Sequence, residues 1–286
     1  MAGRLSSTVA TGLCLLAAAA AWGEGWEPVQ GKNLKIDRKR HLVWDEPQRA
    51  IVKYDDEAAV RRYIDTGAER NSYTCRVVYK DAPEELRDFA FKTAEICQFF
   101  YPLLKRKMGN ESLAPPYLME LGPPSGCPPG AAACAYGDEK KIHLNAEYFK
   151  RNIQDYGAVI HEIAHVVRGS AAPSPVPMWL DESFADYIRY KMGFSDAAGS
   201  RSTCEKGLHY TKGYWCGAAF LNYLQWKYLA KKNLDLKLLL TQDTRAGRAK
   251  DDAAVASLFR TYTGTDKGLD DLWHDCLKSD CRGGKP

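Results

Sequence analysis

Apolar positions along the chain follow two different periods. In the first half they fall in short runs, at residues 34–36, 42–44, 51–54, 73–79, 117–121 and 141–145, separated by Gly, Pro, Asp and Asn. Runs of that length, rich in β-branched and aromatic residues, read as strands. Two helices interrupt them. Residues 56–64 form a short one with Asp55 as its cap. Asp81-Ala-Pro83-Glu84-Glu85 opens a longer one, with a cap, an early proline and acids in the first turn. Its apolar stripe runs through Leu86, Phe89, Ala90, Ala94, Ile96, Cys97 and Phe100 and stops near Gly109. From Asp155 the period becomes helical. Residues 156–168 carry apolar side chains at Val159, Ile160, Ile163, Ala164 and Val167, and Gly169 ends the run. Further helices are expected at 178–192, 208–229, 253–262 and 269–277. Strands early and helices late predict an α+β fold.

The helix over 156–168 contains His161-Glu162-Ile163-Ala164-His165. Residues four apart lie one turn apart on one face, so the two imidazoles can grip one ion. Glu162, one residue along, sits beside such an ion, where a base takes a proton from water. An amphipathic helix with its polar groups in solvent explains the pattern less well. Ile160, Ile163, Ala164, Val166 and Val167 would bury most of this helix, and unpaired buried polar groups are costly. A catalytic zinc site takes three protein ligands and keeps one position open. Glu182, on the next helix, is the expected third ligand for Zn2+, with Asp181, about 100° around the helix, as the alternative. Asp186, one turn beyond Glu182, is expected to orient a histidine through its free N–H. Tyr214 is the first choice for stabilising an oxyanion, ahead of Tyr210 and His209. His41, His143 and His274 receive no role. Residues 141–145 fit an edge strand that pairs with extended substrate and fit a purely structural strand equally well.

Charge and cysteines narrow the setting. A net charge of +4 without a dense basic run gives no reason to expect nucleic acid. Arg4, the apolar run 13–21 and the small residues Ala19 and Ala21 read as a cleaved export signal over 1–23, too short for a membrane span. No stable membrane association is expected. Removing Cys14 with the signal leaves eight cysteines, an even set suited to an oxidising compartment. Local closure pairs Cys127 with Cys134, Cys204 with Cys216 and Cys276 with Cys281, leaving Cys75 with Cys97. None has CxxC spacing, which disfavours a cysteine metal site. Asn110-Glu111-Ser112 is a glycosylation sequon. The reading divides the chain into the signal (1–23), an N-terminal extension (24–72) and a main domain (73–286).

The HEIAH motif followed by Trp179-Leu180-Asp181-Glu182-Ser183-Phe184-Ala185-Asp186-Tyr187 resembles the basic secretory protein family of plants and bacteria. Gly213-Tyr214 leading into Phe220-Leu221-Asn222-Tyr223 extends the likeness, which covers roughly residues 73–276. The resemblance implies a zincin-like metallopeptidase fold of the glutamate-ligand type. It matches His161, His165 and Glu182 to zinc ligands, Glu162 to the base and Tyr214 to a tyrosine of glutamate-ligand zinc aminopeptidases. Ser183 stands where Gly is usual, and Arg168 where Gln is frequent. The implied activity is endopeptidase hydrolysis of peptide or protein substrates outside the cytoplasm. Two alternatives come from other classes: an exported binding or defence protein that keeps a structural zinc site, and a zinc hydrolase of a non-peptide amide.

Overall fold

Successive side chains of a strand point to opposite faces, and here both faces are apolar. Leu42, Trp44 and Ile51 join the main core, whereas Ile36, Val43 and Val52 join a smaller cluster with Tyr54, Val60 and Tyr63. The part of the sheet built from residues 34–53 is therefore covered on both sides. The computed structural model describes residues 25–66, 75–112, 117–137, 139–169, 174, 176–194, 207–279 and 281. The expected signal, 1–23, lies outside them.

The elements follow in the order β1 (Glu27–Pro28), β2 (Leu34–Asp37), β3 (Leu42–Asp45), β4 (Ala50–Lys53), α1 (Glu57–Thr66), β5 (Cys75–Val78) and α2 (Arg87–Lys107). Next come β6 (Leu118–Gly122), β7 (Ala133–Tyr136), β8 (Lys141–Asn145), α3 (Ala146–Arg151), α4 (Tyr156–Arg168) and α5 (Met178–Lys191). The chain continues through α6 (Tyr214–Leu224), α7 (Leu236–Arg245), α8 (Asp252–Thr263) and α9 (Leu269–Lys278). The fold is α+β: among the described residues the strands form one mixed sheet in the order β1-β2-β3-β4-β5-β6-β8-β7, and the second half is mainly helical. β1 to β5 pair antiparallel, β5-β6-β8 parallel, and β7 returns antiparallel on β8, with Ala133 opposite Leu144. Strands from the segment expected as an extension thus share a sheet with the later strands.

Several details differ from the reading of the sequence. β8 is not an edge strand, because β7 lies outside it. β7 escaped notice because Ala-Cys-Ala-Tyr carries little β-branched bulk. Asp56 rather than Asp55 caps α1, accepting from the Ala59 N–H at 2.7 Å. The helix expected over 208–229 is broken: a 3₁₀ turn (Tyr210–Lys212) precedes Gly213, at φ 72°, then come α6 and a π turn (Gln225–Leu229). Disulfides join Cys75–Cys97, Cys127–Cys134 and Cys276–Cys281, as local closure predicts. Cys216 is also disulfide-bonded, and its expected partner Cys204 lies outside the described residues. Asn110, inside the sequon, is buried and donates its amide to the Val167 carbonyl at 2.6 Å. No helix among the described residues is long and apolar enough to cross a membrane.

Candidate metal centre

α4 is buried along almost its whole length, from Gly157 to Arg168. Its ends are set locally. The Asp155 carboxylate accepts from the Ala158 N–H at 3.3 Å, and Gly169 takes the left-handed conformation (φ 84°) that closes the last turn. α4 packs on α2, α5 and β7. α5 begins after Pro177, whose fixed φ suits a helix start. The crossing of α4 with α5 brings His161, Glu162, His165, Asp181, Glu182 and Asp186 into one cluster.

His161 Nε2 lies 3.0 Å from His165 Nε2 and 3.1 Å from Glu182 Oε2, and His165 Nε2 lies 3.8 Å from the same oxygen. Two ligand atoms on a tetrahedral ion at zinc–nitrogen distances are separated by about 3.3 Å. The triangle is therefore of the size one such ion needs, and it combines two imidazole nitrogens with a carboxylate oxygen. His161, His165 and Glu182 form a group that could hold a metal ion.

The other ring nitrogens are occupied. His161 Nδ1 donates to Asp186 Oδ1 at 2.7 Å, and His165 Nδ1 donates to Asp181 Oδ1 at 3.0 Å. A carboxylate only accepts, so each ring donates its Nδ1–H, and Nε2 is the atom that faces the common point; without an ion there, His161 Nε2 meets the Glu182 carboxylate as a donor as well. Asp181, weighed above as an alternative ligand, is instead a partner of His165. Its role was missed from the sequence, although its place beside Glu182 on the same helix was a signal. Arg168 binds the same Asp181 oxygen from the other side.

Charge follows from these contacts. Burial opposes ionisation of Glu162 and pushes its pKa up, only partly offset by the two histidines. Burial also raises Glu182, but the hydrogen bond from His161 and the charges of His161 and His165 together outweigh it and leave the carboxyl below its ordinary value. Asp186 is depressed in the same way. Burial works against a charged His161, yet Asp186 and Glu182 outweigh it and hold its pKa well above the usual value. Burial raises Asp181, but Arg168 and His165 together take it far below the usual carboxylate range.

Tyr214 starts α6 immediately after Gly213, which sits against the Glu182 side chain and the Trp179 backbone. Its φ is 47°, it is 47% exposed, and its ring is stacked at 6.2 Å from that of His161. Burial, then the carboxylates of Glu182, Asp186 and Glu162, push its pKa up to about 12, so the phenol remains a donor at neutral pH. The runners-up face elsewhere. Tyr210 donates to Asp270 at 2.9 Å amid Trp179, Phe220 and Trp273, and His209 lies 3.5 Å from the same carboxylate. His143 is buried with its ring 2.8 Å from the Pro123 carbonyl.

A family model described as BSP, peptidase of plants and bacteria, matches residues 129–275, which include this whole cluster. No curated protein and no solved structure matches the chain.

Proposed function

We propose, on the premise that this chain belongs to the BSP family of plant and bacterial peptidases, that it is an exported zinc endopeptidase with a zincin-like active site. The observation that carries the reading is the triangle of His161, His165 and Glu182 ligand atoms, with Glu162 buried beside it. Zinc bound there would acidify a water molecule and polarise the scissile carbonyl.

The chain's own residues supply the rest. Glu162, its pKa raised by burial, takes a proton from the attacking water and passes it to the leaving amine. The Tyr214 hydroxyl donates to the oxygen on which negative charge develops. Asp186 and Asp181 accept the Nδ1 protons of the histidines, so that Nε2 of each ring is the atom presented to a metal. β7, packed on α4 and outermost in the sheet among the described residues, offers its outer backbone edge to an extended peptide. Residues 1–23 serve as the export signal, 24–72 as an N-terminal extension built onto the sheet, and 73–286 as the peptidase domain.

The test is hydrolysis of unfolded casein by purified protein, with and without a chelator. Wild-type protein is expected to cleave in a chelator-sensitive way, and Glu162→Gln to retain its metal while losing cleavage. Full metal occupancy with no cleavage by the wild type would favour a binding protein. Undiminished cleavage by Glu162→Gln would remove Glu162 from the mechanism.

A further inference from the structure

Arg168 is the last residue of α4 and is completely buried. Its guanidinium lies 4.6 Å over the ring of Phe184. One nitrogen donates to Asp181 Oδ1, and another to the Leu180 carbonyl at 3.5 Å. Burying a guanidinium and a carboxylate together costs several kcal/mol per ion before their attraction is counted, and apolar side chains of similar volume would often stabilise the fold as well or better. The arrangement therefore calls for a use beyond stability.

Its geometry supplies one. Asp181 Oδ1 is held between two donors, Arg168 on one side and His165 Nδ1 on the other. A carboxylate on a helix retains rotameric freedom, and the histidine it orients inherits that freedom. The planar fork of Arg168 removes it, because the same guanidinium also grips the backbone two residues before Glu182. His161 is oriented differently. Its partner Asp186 has Arg189 nearby, but Arg189 donates to Asp155, at 2.7 Å.

We infer that Arg168 is a positioning residue: through Asp181 it fixes the ring of His165 and so the place of its Nε2 ligand atom. This rests on the reading of His161, His165 and Glu182 as a metal site.

The experiment compares R168M, D181N and R168M/D181N with the wild-type full chain. Zinc affinity is measured by competition with a chromophoric chelator, and ligand geometry by the visible spectrum of the cobalt-substituted protein. Circular dichroism of the metal-free forms reports folding. Each single variant is expected to bind zinc roughly 10–100-fold more weakly and to alter the cobalt spectrum. The double variant is expected to bind no more weakly than the weaker single one, because both residues act through one oxygen. Should R168M fail to fold, the double variant, which removes both buried charges, is read against D181N, and equal affinity is expected. R168M with wild-type affinity and spectrum overturns the inference. So do single losses that multiply in the double variant, or a double variant tenfold weaker than D181N. A wild-type chain that binds no metal, or binds it equally well after His161→Ala, sinks the metal-site reading and this inference together. Metal bound at the histidines with R168M indistinguishable from wild type sinks this inference alone.

Discussion

α5 and α6 cross where Ser183 faces Gly217, and there the packing leaves no room for a methyl group. A Cβ at Gly217 would stand 1.7 Å from Ser183 Oγ, 2.5 Å from Ser183 Cβ and 3.2 Å from the Tyr210 carbonyl. Rotating Ser183 does not solve this, because its Cβ alone is too close and its hydroxyl is committed to the Trp179 carbonyl. Gly217→Ala must therefore push α6 away from α5. Overpacking of this kind costs about 1–3 kcal/mol, and the helix preference of Ala over Gly returns about 1 kcal/mol. A net loss of up to about 2 kcal/mol corresponds to a melting temperature lower by up to about 8 °C at this chain's size. The displaced helix carries Tyr214 with it, so kcat is expected to fall as well.

The decisive assay is a double-mutant cycle with Ser183→Gly, which removes the obstructing side chain. Ser183→Gly alone forfeits a hydrogen bond and adds backbone freedom, costing about 1 kcal/mol. In Gly217→Ala/Ser183→Gly the clash is gone, and the two changes should be coupled favourably by at least about 1 kcal/mol. Thermal melts of the four proteins measure it. The packing argument is falsified if the coupling lies within about 0.5 kcal/mol of zero.

Three further outcomes follow. Tyr214→Phe should lower kcat by roughly 10²–10³ with little change in KM, the loss expected of one oxyanion donor, as steady-state peptide cleavage would reveal; an unchanged kcat would return Tyr214 to a packing role. Because the pKa of His161 is raised above its ordinary 6.5, its proton competes with the metal, so zinc affinity should weaken as pH falls, by up to about tenfold per unit. The same group should stabilise the metal-free protein below pH 6.5 and cease to do so as pH rises through its folded-state value. Chelator-competition titrations across that range, with melts of the metal-free form, check both, and a flat affinity profile would contradict the assignment. Replacing Cys75 and Cys97 by Ser opens a loop with a separation of 22 residues between β5 and α2. Loop-closure entropy puts that loss at about 3 kcal/mol, and an unaltered melting curve would show that the bridge constrains little.

What the sequence made legible is what depends on spacing along one helix. Four-residue spacing placed His161 and His165 on one face, and Gly169 closed the turn where expected. The packing of α5 on α4 brought Glu182 and Asp186 to the pair, as expected of the next helix. Relations across the packing were not legible. That Asp181 pairs with His165, and that Arg168 is buried against it, depends on how α5 crosses α4. β7 was hidden because Ala-Cys-Ala-Tyr has no pattern of its own and is held by the register of β8. α7 was passed over because Leu238, Leu239 and Leu240 follow one another without a clear stripe, although Asp235 caps the helix through the Lys237 N–H.

The buried amide of Asn110 makes the choice of expression host a structural variable. Oligosaccharide transfer acts on a nascent chain, before that side chain has reached the end of α4. A host that modifies it would attach a bulky polar sugar to a nitrogen that the finished molecule keeps in its interior, against the Val167 carbonyl. Material from such a host should be recovered with this sequon bare or not recovered folded, whereas bacterial production avoids the conflict.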